Sequence, residues 1–425
     1  MLPTMQSGTS PGYLSSILSR FAVVLCASAI SILVLAMPLG RPLATWIASV
    51  TLGALVVGVV LTRITSHVVF RGLGPWLLFG AGTLASMHLS PWAAQSATRA
   101  TPSLLLLLVF PAAQVIAQSP GALRAVRACM AGAIVITAAD LAWQPLFGSS
   151  LLLGVIQHPA DPRFTGSLPN ANEVGFVALL APLAFDVVPL RSISLSVTSV
   201  RNLLIPVAAL IPILLSASRA TLGGYAVGAC VRSWFGERRF VRWAPAAALC
   251  IAAVAWMADI GAFRHRLAET LAPQQESRLR TWSIAWNAFT ERPWFGNGPA
   301  VFFEVNEASR KLPQVPGWET PAGGMPWAHN IPLEILCERG LVGAVIFAAV
   351  IIQLIRHLRT GLQSSTQRRW AGSIAASAAS FGAMSLLDMS FLKDWCTVCF
   401  WLTCGFAAAA SADAMRSEAT PATRG

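Results

Sequence analysis

The chain has 425 residues, of which 55% are hydrophobic and 11% charged, against roughly 25% charged in an ordinary soluble domain. A mean hydropathy of +0.63 and apolar runs spread from residue 21 to residue 412 argue against a soluble fold, and runs that are continuous, not alternating, argue against an outer-membrane barrel. The net charge of +12 would point to nucleic acid in a soluble protein, but 28 of the 30 basic residues are arginine and their placement along a membrane topology matters more than their sum. The class expected is therefore all-α, a polytopic integral membrane protein, with no nucleic-acid partner.

Apolar windows of about 20 residues, the length that crosses the hydrocarbon layer, fall at 21–38, 42–62, 74–90, 102–118, 122–143, 171–190, 202–217, 219–235, 243–262, 340–357, 370–390 and 395–412. These are about twelve transmembrane helices. The weakest window is 219–235, which opens with Ser218-Arg219 and is rich in glycine. An even number puts both termini on one side. One set of loops and ends carries seventeen basic residues, and the short loops of the other carry Arg41, Arg99, Arg163, Arg219 and Lys393. By the positive-inside bias both termini are cytoplasmic. Residues 1–262 then hold spans one to nine, 263–339 form one large outward loop, and 340–425 hold the last three spans and a short tail. The first apolar run is long and more spans follow it, so no cleavable signal peptide is expected.

The outward loop holds Trp282, Trp286, Trp294, Trp318 and Trp327 together with Phe289, Phe295, Phe302 and Phe303. Such aromatic content predicts an ordered cap with these rings buried, not a tether. From Glu276 to Thr290 the spacing of Leu279, Trp282, Trp286 and Phe289 predicts a helix with one apolar face. It ends at Pro293 and the turn signal Gly296-Asn297-Gly298.

Four polar clusters fall on the outward side, where charge beside lipid is costly and marks chemistry. They are Arg163 to Glu173, the turn Ser216-Ala217-Ser218-Arg219-Ala220, the helix start Glu276-Ser277-Arg278-Leu279-Arg280-Thr281-Trp282, and Trp327-Ala328-His329-Asn330 followed by Glu334, Glu338-Arg339 and Gly340. A serine-arginine-alanine turn between two spans, an R-x-x-x-W helix leading into P-x-x-G-x-G, and a His-Asn pair before L-E-x-x-x-E-x-G resemble the O-antigen ligase superfamily. That superfamily also contains polysaccharide polymerases and bacterial protein O-oligosaccharyltransferases. The resemblance runs over roughly residues 163 to 345.

What it implies is a GT-C-like membrane enzyme, set in bacterial inner-membrane lipids with its active site periplasmic. It would move a glycan from an undecaprenyl diphosphate-linked donor to an acceptor hydroxyl, of lipid A-core or another glycan. A diphosphate leaves as a stabilised anion, so the site mainly needs cations to hold phosphate oxygens and a base to take the hydroxyl proton. Arginine suits the first task, by bidentate geometry and permanent charge. Histidine suits the second. On this reading His329 is the general base, Arg219 and Arg278 clamp the diphosphate, and Arg163 and Arg280 assist them. Ser218, Trp282, Asn330, Glu334 and Glu338 support them, the two glutamates lying one turn apart where they orient His329 or Arg219, or else pack the helix.

Plainer readings stand beside these. Arg219 at a span end can snorkel to headgroups. Arg278 and Arg280 can pair with Glu276 on a solvated face, and His329 can be a structural histidine at the start of the helix that Asn330 opens. His158, in the turn His158-Pro159-Ala160-Asp161-Pro162, reads as a loop residue, and His357 is assigned no role. Asp388, Lys393 and Asp394 form a small charged cluster that closes the site from the side or pairs within itself. Scattered outward carboxylates, with no D-x-D or E-x-D pair, imply no metal and no other cofactor. Cys396-Thr397-Val398-Cys399 reads as apolar span residues. Within this chemistry O-antigen ligation comes first, a polymerase second and a protein glycosyltransferase third. A twelve-span secondary transporter is the alternative from another class, weakened by the asymmetry of the two halves.

Overall fold

The structure is a computed structural model that describes residues 11–39, 41–65, 70–157, 163–184, 195–235, 253, 257, 277–309 and 326–419. Among these residues the chain is helical and holds no strand; one isolated bridge joins Ser149 and Ile156. In order come α1 (Pro11–Ala36), α2 (Arg41–Thr65), α3 (Leu73–His88), α4 (Ala93–Leu105), α5 (Val109–Ala117), α6 (Pro120–Phe147) and α7 (Gly175–Ala184). They are followed by α8 (Leu195–Leu215), α9 (Arg219–Phe235), α10 (Ser277–Glu291), α11 (Phe302–Ser309), α12 (Ile331–Gln363), α13 (Arg368–Ser385) and α14 (Asp394–Ala419).

Five segments are long and apolar enough to cross a membrane: Ser15–Leu39, Ala93–Ala117, Pro120–Phe147, Ile331–Gln363 and Asp394–Ser417. The protein is thus a helical membrane protein with several spans. Gly53–Ile64, Ala171–Ala184 and Ile205–Leu215 are shorter apolar helices. Windows 74–90, 219–235 and 370–390 hold helices as well, while 243–262, apart from residues 253 and 257, and the turn from His158 to Pro162 lie outside the described residues.

The ends of the helices follow from local chemistry. Ser119 caps α6 by accepting from the Ala122 amide at 3.3 Å, and Pro120, which has no amide hydrogen to satisfy, follows it. Gly148 closes the same helix in the left-handed conformation. Helix α14 is central. Its Trp401 is buried and packs edge-on against Phe79 of α3 at 5.4 Å and Phe110 of α5 at 6.2 Å between ring centroids. The glycines that weaken 219–235 as an isolated span serve packing instead: a Cβ at Gly224 or Gly228 would run into Met384 or Ser380 of α13. Small residues one turn apart let α9 and α13 approach closely, as membrane helices require.

The segment expected to face outward differs from expectation in one respect. Helix α10 forms where the spacing placed it, but it buries Thr281, Ala285 and Ala288, not its aromatic stripe. Trp286 is 50% and Trp294 64% exposed, and Leu279, Phe295 and Phe303 are also exposed. Small side chains let α10 lie close to α12, with Ala285 and Ala288 packed near Ala328 and Cys337. The period was legible, but the side facing the protein was chosen by close approach and not by ring area.

Candidate active site

Helix α12 is broken at Gly340, whose φ of 64° and ψ of −165° leave the helical region. The break strands carbonyls and amides on both sides of the bend, and the loop after α10 receives them. Asn297 and Gly298 donate to the Cys337 and Glu338 carbonyls at 2.9 and 2.8 Å, while Leu341 and Val342 donate to Pro293 and Trp294 at 2.7 and 3.1 Å. Contact is so close that a Cβ at Gly340 would meet the Trp294 carbonyl and one at Gly296 would meet Glu338. Glu338 lies on the outer side of this bend, accepting from the backbone amides of Ala300, Val301 and Phe302 and pairing with Arg339 at 3.3 Å. It holds the start of α11.

The N-terminal end of α12 carries His329. Asn330 caps the helix by accepting from the Leu333 amide at 3.0 Å, and its own amide donates to the Leu386 carbonyl at 3.1 Å. Glu334 accepts from the Ser390 hydroxyl at 2.9 Å and the Phe391 amide at 3.0 Å. Both residues therefore fasten the start of α12 to the loop between α13 and α14. That loop brings Asp388 onto His329, whose Nδ1 is hydrogen-bonded to Asp388 Oδ1. Asp388 is 3% and His329 14% exposed. The histidine takes a left-handed backbone, φ 55°, which a β-substituted residue rarely adopts. Such strain persists only where the surroundings over-determine it.

Nδ1 of His329 also lies 3.1 Å from the Trp327 indole nitrogen. One nitrogen cannot donate to the carboxylate and accept from the indole at once. The charged partner makes the stronger bond, so the proton sits on Nδ1 and points to Asp388. Nε2 is then the nitrogen with a free lone pair, and no hydrogen bond engages it among the described residues. Burial would raise the Asp388 carboxyl, but Lys393, the His329 hydrogen bond and Arg278 outweigh it and hold the group below the usual carboxylate range.

Arg278 approaches from α10, with Nη2 4.0 Å from Asp388 Oδ2. It shares the inner face with Thr281, Ala285 and Ala288 at spacings of three and four. Arg280 is about 200° round the helix from it. Trp282 is half-buried, and its indole nitrogen is buried without a hydrogen-bond partner among the described residues.

The first two clusters lie together. The Phe164 amide donates to the Leu215 carbonyl at 3.1 Å, which sets the loop of Arg163 beside the turn into α9. In that turn Ala217 is left-handed, φ 47°, and Ser218 caps α9 with its hydroxyl 2.8 Å from that of Thr221. Arg219 is the first residue of the helix. Glu173, at the far end of the Arg163 loop, accepts from the Trp395 indole and pairs with Lys393 at 3.5 Å.

Two contributors escaped the sequence reading and two were seen only in part. Asp140 and Gln144, one turn apart in α6, are buried and hold the Arg163 loop. Asp140 accepts from the Ser167 amide at 2.6 Å and the Leu152 amide at 3.0 Å. Gln144 accepts from the Thr165 and Gly166 amides at 3.0 and 2.9 Å. The signal was present: two polar residues on one face of an apolar span. Glu173 was visible only as part of a motif, and Asp388 only as a member of a charged cluster.

These contacts define a multi-pass helical membrane protein whose polar residues converge on a histidine–carboxylate pair beside an arginine. Residues 204–348 match the family model for O-antigen ligase, a segment that holds Arg219, Arg278, Arg280, His329, Asn330, Glu334 and Glu338. Over that segment, about a third of the chain, the protein is similar to O-antigen ligases, which supports a place in that superfamily of glycosyltransferase-like ligases and polymerases. No curated protein matched the chain.

Proposed function

We propose that the protein is a twelve-span glycosyltransferase of the bacterial inner membrane, with periplasmic active site and cytoplasmic termini, that transfers a glycan from undecaprenyl diphosphate to an acceptor hydroxyl. The reading chosen first is O-antigen ligation to lipid A-core; polymerisation by the same chemistry is the second. The observation that carries the proposal is the His329–Asp388 pair with Arg278 at its edge.

The acceptor hydroxyl attacks the anomeric carbon, the bond from that carbon to the diphosphate oxygen breaks, and the hydroxyl proton passes to Nε2 of His329. Asp388 stabilises the imidazolium formed and fixes the tautomer beforehand. Arg219 and Arg278 hold the departing diphosphate, with Arg163 and Arg280 near the same anion, so permanent side-chain charge does the work a divalent cation would otherwise do. Asn330 and Glu334 support the base by fastening its helix to the loop of Asp388, and Ser218 supports Arg219 by capping α9. Glu338 secures the bend behind them.

The test is transfer by the purified protein in nanodiscs supplied with an undecaprenyl diphosphate-linked oligosaccharide and lipid A-core. His329→Ala should lower the rate by about 1,000-fold while the donor lipid still binds; full activity of that variant would overturn the proposal. Deletion of the gene separates the two readings. Intact lipid-linked polymer with bare core means ligase, and core bearing single repeats means polymerase.

A further inference from the structure

Lys393 is 1% exposed, with an ammonium group shut away from water. A buried charge of this kind is costly unless paired, and its loss is costly to the partners it leaves. Its position is defined by three contacts. Nζ lies 3.5 Å from Glu173 Oε1, 4.6 Å from the centroid of the Trp327 ring and 5.8 Å from that of Trp395. Trp327 is the residue whose indole nitrogen touches His329, and Trp395 donates to Glu173. One chain of contacts therefore runs from the Arg163 loop through Glu173, Lys393 and Trp327 to the base.

The charged and titratable groups facing this lysine come from every neighbouring element. Glu173 precedes α7, His329 and Glu334 stand at the head of α12, Asp388 lies in the loop before α14, Arg278 is on α10, and Cys396 is on the first turn of α14 beside Asp394. Glu334 is already committed to Ser390 and Phe391. Nearest the base, Glu173 and Asp388 stand against Lys393 and Arg278, with Glu334 and Asp394 adding carboxyl groups further along the same cluster. Removing the lysine makes the site more negative, which attracts a proton to the histidine before any acceptor arrives. Removing the glutamate does the reverse.

We propose that the Glu173–Lys393 pair is a positioning and charge-balancing element for the His329–Asp388 dyad, keeping His329 free of a proton until the acceptor hydroxyl supplies one. The lysine does not touch substrate. It works through Asp388 by charge and through the Trp327 ring by packing, a cation held against an aromatic face. This rests on the assignment of His329 as base, and the experiment separates the two.

The pH at which His329 reacts with diethyl pyrocarbonate, which acylates only the unprotonated ring, is followed by mass spectrometry on full-length protein in nanodiscs. The readout needs no substrate. Lys393→Met should move the midpoint of that reactivity up by about one pH unit, and Glu173→Gln should move it down. Lys393→Arg, which keeps the charge, should restore it. The acid limb of the transfer profile should shift in the same directions, with kcat lowered more than KM is raised. Midpoints that stay with the wild type, or that move the same way in both variants, would overturn the proposal. Glu173→Gln retains volume and hydrogen bonding to Trp395, so it reports even if Lys393→Met folds poorly. Opposite midpoint shifts together with an active His329→Ala would instead sink the assignment of the base and leave the charge balance standing.

Discussion

The two ends of α12 each hold a histidine, and they differ in what faces the ring. At the N-terminal end His329 meets a buried carboxylate and an arginine on the far side of it. Toward the C-terminal end His357 meets the Gln353 amide at 2.9 Å, beside Gly72. There Arg71 and Gln114 exchange two hydrogen bonds, 2.9 and 3.1 Å, and Arg71 reaches the Met415 sulfur at 3.3 Å. The two rings are separated by roughly 40 Å of helix. Both are polar groups set among packed helices, but a neutral amide cannot stabilise a forming imidazolium and a carboxylate can. On the proposed mechanism the charge of its partner is what would make one histidine a base and not the other, and the sequence around each ring does not reveal that partner.

Making the two ends alike is the most severe test. Asp388→Asn places an amide beside His329 as Gln353 stands beside His357, and should cut the transfer rate by about 100-fold, whereas His357→Ala should leave it near wild type. Initial rates at saturating donor, with melting curves to confirm folding, check both; equal effects would erase the distinction. Asp388 is held below the usual carboxylate range, so its contribution is present above its ordinary value and is lost only as the pH falls through the lowered one. A decline in activity close to neutral pH therefore reports on another group.

A smaller effect is expected at the anion side. Arg219→Lys keeps the charge and loses the planar fork, and should slow transfer about tenfold, the worth of one charge-assisted hydrogen bond. A near-normal rate would mean that Arg219 only reaches toward headgroups. The smallest effect is none: if arginines hold the diphosphate as proposed, a chelator added to the nanodisc assay should leave the rate unchanged. A clear loss would show that a cation shares that task.

How far the sequence could be read depended on the range over which each feature is determined. Helices α1, α6, α10, α12 and α14 follow from apolar runs and caps that lie within a few residues of one another, and the Asn330 cap was legible for that reason. The break at Gly340 was spelled as a glycine after Glu338-Arg339, but its shape depends on a loop some forty residues earlier. The inner face of α10 was misjudged because the aromatic stripe carries the stronger pattern, while the packing obeys the small residues. Arg278 and Arg280 could not be told apart until that face was known. The Asp388 partnership joins residues 59 positions apart, beyond any local signal.

That separation sets the order in which the protein becomes competent during synthesis. His329 and its helix leave the ribosome before the loop between α13 and α14 exists, so the nascent chain carries an imidazole with no carboxylate, a Glu334 without the loop that donates to it, and a Glu173 without its lysine. Domains made from the N-terminus onward accumulate such half-built sites. Here the missing parts all arrive with the last two helices. Insertion of the C-terminal hairpin thereby completes the packed core and the contacts of His329, Glu334 and Glu173 in one step, and on the proposed mechanism a chain that stops short of it would carry the base without its carboxylate.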